Sequence, residues 1–310
     1  MRGVRRNVNN GIMGVPAIDF PDPACEPGCI SAAGTAAEIL SARCQGRSQM
    51  RRYANSPFLG HDSVGHGPQK VIVLHDWHGD RTTYDPILPY LDRDSFQYAF
   101  ADLPGYGASC DHPVPAGVEP LARAVLALAD GRGWRHFHLV GHSLSAMIAQ
   151  CAAMLAPERV ASLTAVCPLP ASGSPADDEA LAFFAATAGN DDAFRRLMRF
   201  LSGPLADGWI EAKRVRSRAA SVAEVKMAYL DLFRTDFSAK LAGAATRANL
   251  ILGDRDPGLD AATMAPLFGR WYADLAVATV RNCGHYPMEE APPGFAAILE
   301  QLLVRQARAS

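Results

Sequence analysis

Long apolar runs are missing from this 310-residue chain, so no membrane-spanning helix is expected. The N-terminal MRGVRRNVNN carries an arginine pair with no apolar stretch behind it, and a secretory signal is not supported. Charge of one sign is also lacking. Thirty Lys and Arg stand against 32 Asp and Glu, a net charge of −2, and no basic stripe is interleaved with aromatics. That excludes a dedicated nucleic-acid binder. The seven cysteines (25, 29, 44, 110, 151, 167 and 283) are scattered and odd in number, so no disulfide framework is expected and a reducing cytoplasmic setting fits best. Cys25, Cys29 and Cys44 cluster loosely, but no histidine or fourth cysteine stands at metal-ligand spacing. Internal repeats and low-complexity tracts are absent as well. What the chain does have is apolar residues, 49% of the total, enough for a sizeable core.

Residues 1–67 read as an irregular N-terminal extension rich in Gly, Pro, Ser and Asn, with Ala32–Ala42 its one plausible helix and Met50 a candidate start. From Lys70 the texture changes. KVIVLH is a short β-branched run suited to a strand buried on both faces, and FQYAFA gives a second. LARAVLALADG then reads as a helix, FHLVGHS as a strand, and LSAMIAQCAAMLA as an apolar helix stopped by Pro157. RVASLTAV, ANLILG and LAVATV supply three further strands, and GFAAILEQLLVRQ a closing helix. Strands alternating with helices predict an α/β fold with a mostly parallel, doubly wound sheet and right-handed crossovers. Its core would comprise residues 68–167 and 246–310. Between them, residues 168–245 show no strand pattern, only four helical stretches near 177–188, 191–201, 208–219 and 221–233. A helical cap placed above the carboxyl ends of a parallel sheet lies where ligands bind, and a lid is expected there.

The chemistry centres on Gly141-His142-Ser143-Leu144-Ser145, at the junction of a predicted strand and helix. A tight turn there exposes a serine hydroxyl at the sheet edge, as in the G-x-S-x-G nucleophile elbow, although Ser145 replaces the final glycine. A serine capping a helix is the plainer reading of the same residues. Partners decide between the two, because a hydroxyl needs a base and the base a carboxylate. His285 follows the last predicted strand, with Gly284 allowing a sharp turn, and Asp256 lies just past the strand before it. In a parallel sheet all three loops emerge on one edge, in the order Ser, Asp, His. Asp254 is the rival acid; Asp256 is favoured because it lies further into the loop and precedes Pro257. The backbone N–H groups of Leu144 and Trp77 are the expected oxyanion donors. His142 is read as structural, His75 and His78 as shaping the oxyanion loop, and Cys110, Cys151 and Cys167 as structural, since none has the setting of an activated thiolate.

These residues resemble the α/β-hydrolase superfamily over about Val71–Val304, through VIVLHDWHGD, DLPGYGAS, GHSLS, GDRDP and GHYPMEE taken in order. The resemblance implies Ser143, Asp256 and His285 as a triad, Trp77 and Leu144 as oxyanion donors, a helical cap over 168–245, and no cofactor; no metal site is expected either. Asp76 departs from it, standing where a glycine is usual, and Ser145 departs at the elbow. GHS-x-SAMI is similar to a subset that includes the karrikin and strigolactone receptors, which pair a triad and four-helix lid with slow hydrolysis. The expected function is therefore a serine hydrolase cleaving an ester, thioester or lactone of a small, mostly apolar substrate. The alternatives are a ligand-binding signalling protein with slow turnover and a carbon–carbon bond hydrolase. Dehalogenase and epoxide hydrolase chemistry is disfavoured, because each needs a carboxylate where Ser143 stands.

Overall fold

A computed structural model describes residues 58–305, apart from Pro175. The helix expected over Ala32–Ala42, the loose cysteine trio and Met50 lie outside these residues. Seven strands form one sheet: β1 (His61–Gly65), β2 (Gln69–Leu74), β3 (Phe96–Ala101), β4 (Phe137–His142), β5 (Val160–Val166), β6 (Ala248–Gly253) and β7 (Leu275–Val280). Their order is β1-β3-β2-β4-β5-β6-β7, and every neighbouring pair is parallel except β1 with β3.

The period-2 alternation of strand side chains sorts the apolar residues onto two buried faces. Ile72, Leu74, Leu139, Leu163, Leu250 and Leu252 pack on one face beneath α1 (Val118–Gly131) and α2 (Leu144–Leu155). Val71, Val73, Phe100, Val140, Val166 and Ile251 pack on the other, against a 3-10 segment, Arg81–Tyr90, and the C-terminal helix. Covering both faces in this way is what makes near-continuous apolar strands such as VIVL stable in the middle of the sheet.

β1 falls inside the stretch read as irregular. Its sequence, HDSVG, has a single large apolar residue, and as an edge strand it needs only one neighbour; its register with β3 runs from His61 opposite Ala101 to Gly65 opposite Gln97. No disulfide framework is expected from the scattered cysteines, yet one of them is bonded. Cys110 is disulfide-bonded, whereas Cys151, Cys167 and Cys283 are free. Pairing depends on spatial approach, which scattered sequence spacing does not disclose. Among the described residues no helix is long and apolar enough to cross a membrane.

Four α-helices intervene between β5 and β6: α3 (Asp178–Thr187), α4 (Asp191–Leu201), α5 (Asp207–Ala220) and α6 (Ala223–Met227). The first two begin at side-chain caps, Asp177 on Ala180 N–H and Asn190 on Asp192 and Ala193 N–H. The last is shorter than its apolar spacing predicts. It stops at Met227, and a separate 3-10 turn takes up Leu230–Arg234. The Lys226 carbonyl accepts a hydrogen bond from the Trp77 indole at 2.8 Å, so tertiary contact with the loop after β2 claims a group at the end of the helix. The remaining helices are α7 (Ala261–Gly269), α8 (Pro287–Glu290) and α9 (Pro292–Leu303).

Candidate active site

Ser143 joins β4 to α2 with φ 55° and ψ −120°, one of three described non-glycine residues with positive φ. Such a conformation costs about 1–3 kcal/mol and persists only where its surroundings enforce it. Here the Ser143 N–H donates to Val166 O at 2.9 Å, and its carbonyl accepts from Leu169 N at 2.9 Å and Ala146 N at 3.0 Å. Gly141 is required for the approach: a Cβ there would lie 2.6 Å from Ser145 O and 2.7 Å from the Ala146 Cα. Ser145, the departure from the elbow pattern, is fully buried. Its hydroxyl accepts from His142 N at 3.0 Å and lies 3.1 Å from Leu74 O and 3.0 Å from His142 O, either of which can take its proton. The serine thus ties the elbow to the end of β2, from which the loop carrying Trp77 departs. Its backbone contacts account for the missing glycine.

The loop after β2 holds its peptides by buried polar groups. Tyr106 OH donates to Trp77 O at 2.8 Å, while the Trp77 indole is tied to Lys226 in the helical insertion. His75 bridges Asp76 O (2.7 Å) and the Leu103 N–H (3.0 Å), and so fastens this loop to the one after β3. Leu144 opens α2, where an amide has no intrahelical acceptor. Asp76 is an anchor: its Oδ2 accepts from His78 N and Tyr286 OH, both at 3.0 Å. Burial alone would raise its pKa, but Lys213, His142, His78 and His75 outweigh that and hold it below the usual carboxylate range.

His285 and Asp256 meet at the same edge. His285 Nδ1 lies 2.7 Å from Asp256 Oδ2, and both residues are buried. Burial pulls the His285 pKa down, but the Asp256 charge and hydrogen bond, with Asp76 and Glu290 further out, leave it above the ordinary histidine value. Asp254 is engaged elsewhere, its carboxylate accepting from the Cys283 N–H at 3.2 Å. Three further groups hold the loop that carries His285; of these, pattern reading singled out His142, as structural, but not Glu290 or Lys213. Glu290 accepts from the N–H groups on either side of His285, Gly284 at 2.8 Å and Tyr286 at 3.0 Å. His142, whose pKa burial pushes down to about 3, uses Nε2–H to donate to His285 O at 2.7 Å. Lys213, on α5 of the helical insertion, reaches Glu289 at 2.6 Å and lies 4.1 Å above the Tyr286 ring. Cys167 Sγ, an Asp256 oxygen and a His285 nitrogen lie within 4.8 Å of one another, the single such metal-compatible group among the described residues. The 2.7 Å approach of His285 to Asp256 is that of a direct hydrogen bond.

A strained serine on a strand-to-helix turn, with a buried histidine–carboxylate pair on the next loops of the same sheet edge, is the arrangement of a hydrolase built on a parallel sheet. The chain belongs to the alpha/beta hydrolase family, whose profile matches residues 71–298. It is 28% identical to the pimeloyl-acyl-carrier-protein methyl ester esterase of Klebsiella pneumoniae over 250 residues, 75% of this chain and 93% of that protein. The enzyme of the same name from Methylococcus capsulatus is 39% identical over 111 residues, 35% of this chain and 40% of that one. Among solved structures, a thermophilic esterase from Thermogutta terrifontis superposes with a TM-score of 0.67 at 20% identity, covering 79% of this chain and 92% of that one. At that identity the likeness speaks for the fold alone.

Proposed function

We propose that this hydrolase cleaves carboxylic esters, thioesters or lactones of small, mostly apolar substrates through an acyl-enzyme on Ser143. The observation that carries the reading is the buried His285–Asp256 hydrogen bond, held by Glu290 and His142 beside the strained elbow. In this reading His285 Nε2 accepts the Ser143 proton as Oγ attacks the carbonyl carbon, and Asp256 keeps Nδ1 protonated and stabilises the imidazolium. The Trp77 and Leu144 amides hold the developing oxyanion. The leaving group departs with the proton from His285, and water, activated by the same histidine, releases the acid. Residues 168–245 would serve as a lid. Phe184 stacks on Phe233 at 5.4 Å, and Phe233 meets the Trp77 indole edge-on at 5.8 Å, which favours an apolar acyl group beside the oxyanion loop. The activity named for the relatives, methyl ester hydrolysis, agrees with an ester substrate.

A p-nitrophenyl ester series provides the test. Continuous multiple turnover, faster for short apolar acyl groups than for charged ones of the same length, is expected. One equivalent of product per protein followed by arrest would instead mark a receptor-like use of the same residues.

A further inference from the structure

We infer that Cys167 is a positioning residue for the acid–base pair: its thiol proton is shared between Asp256 Oδ1 and the carbonyl of Gly284, tying together the loops that carry Asp256 and His285. The inference rests on the acyl-transfer reading above and adds to it a residue that reading does not use.

Cys167 immediately follows β5, the strand between β4 and β6, and so stands between the elbow and the acid loop. Its φ is 40°, a left-handed value that a residue with a Cβ adopts only under constraint, and its N–H is fixed to Ile251 O at 2.9 Å. The side chain is wholly buried. Its sulfur lies 3.9 Å from Gly284 O, one residue before the base, and within 4.8 Å of the Asp256 carboxylate.

Asp256 supplies the second, independent observation. Oδ2 is taken by His285, while Oδ1 is buried and has no hydrogen-bond partner. An unpaired buried carboxylate oxygen is costly, and native structures rarely leave one. A rotation of the thiol about its Cβ–Sγ bond turns its proton from Gly284 O toward Oδ1 without moving the sulfur. Burial first, and the Asp256 charge second, push the Cys167 pKa well above the ordinary thiol value, so the sulfur keeps its proton and acts as a donor. A thiol is a weak donor. It can orient Asp256 while leaving most of the negative charge to face His285.

The groups facing His285 are Asp256, Asp76 and Glu290 by charge, the His142 and Tyr286 rings at 5.1 and 5.4 Å, and the Cys167 thiol. Removing the thiol returns the charge it shares to Asp256. The His285 pKa then rises, and the acid limb of the kcat/KM profile moves to higher pH.

The test compares wild type, Cys167→Ala and Cys167→Ser in steady-state ester hydrolysis across pH. The alanine variant is expected to lose about 5- to 10-fold in kcat with KM little changed, and its acid limb to move up. The serine variant, which restores a donor, is expected to recover both. Alanine indistinguishable from wild type, or serine no better than alanine, would overturn the assignment. A spectroscopic measurement decides the matter even if the alanine variant does not fold. The infrared S–H band of wild type, assigned by its loss in Cys167→Ser, should lie at the hydrogen-bonded position and shift toward the free-thiol position in Asp256→Asn. A band at the free-thiol position in wild type, or one indifferent to Asp256→Asn, would overturn it. Wild-type turnover is measured first, so failure of the hydrolase reading itself shows separately.

Discussion

Replacing Ser143 by alanine is expected to lower kcat/KM for ester hydrolysis by on the order of 10⁵-fold while the protein stays folded. At 1.36 kcal/mol per decade that is about 7 kcal/mol of transition-state stabilisation. The size follows from the division of labour at the site. In the proposed mechanism His285 and Asp256 only move and balance a proton, and without Oγ no acyl-enzyme forms. Whatever the oxyanion amides still contribute then acts on direct attack by water. Stability should change by no more than about 1 kcal/mol, because alanine keeps the Cβ and the backbone contacts of Ser143 are made by its N–H and carbonyl. Steady-state kinetics with a thermal or urea melt of both proteins checks the two halves of the expectation. A fall in activity matched by unfolding would show only that the elbow matters to the fold.

Lys213→Ala is expected to destabilise the protein by about 3–5 kcal/mol, a very large effect for one residue of the helical insertion. The ammonium and its partner Glu289 are each only 2% exposed, and Asp76 Oδ1 lies 4.0 Å away. Arg216 stays on Glu289 Oε2 at 2.6 Å, so the variant chiefly strands Asp76 and the other Glu289 oxygen in the interior. The cost is electrostatic rather than volumetric, so Lys213→Met should fail to rescue it although it refills the space. Chemical denaturation of the three proteins reads this directly. If methionine restores stability, the lysine is filling space and the charge argument is wrong. Since Asp76 holds Tyr286 and the amide of His78, in the loop proposed to bind the oxyanion, activity should fall along with stability.

The sheet was legible because its strands are dense in β-branched and apolar residues and break at turn residues; FQYAFA and FHLVGH need no tertiary knowledge to be recognised. Ser143, Asp256 and His285 could be named for the same reason, each falling just past a strand. β1 escaped because HDSVG is mostly polar. The fourth helix of the insertion read as too long: it stops at Met227, where the Lys226 carbonyl accepts from a tryptophan 149 residues earlier in the chain. Lys213 was invisible for a related reason. In EAKRVRSR it looks like one more cation on a solvated helix face, and only the docking of α5 onto the His285 loop buries it. Cys167 likewise lacks any local sign of use, because both of its acceptors come from loops more than 80 residues away.

The most direct measurement is covalent labelling by a fluorophosphonate probe followed by peptide mapping, since such probes react with a serine only where a base activates it and an oxyanion site receives the phosphoryl oxygen. A single adduct on the peptide containing Ser143, lost in Ser143→Ala and strongly slowed in His285→Ala, is the expected result. An unlabelled protein that nonetheless turns over esters, or an adduct on another residue, would contradict the assignment of Ser143 as the nucleophile.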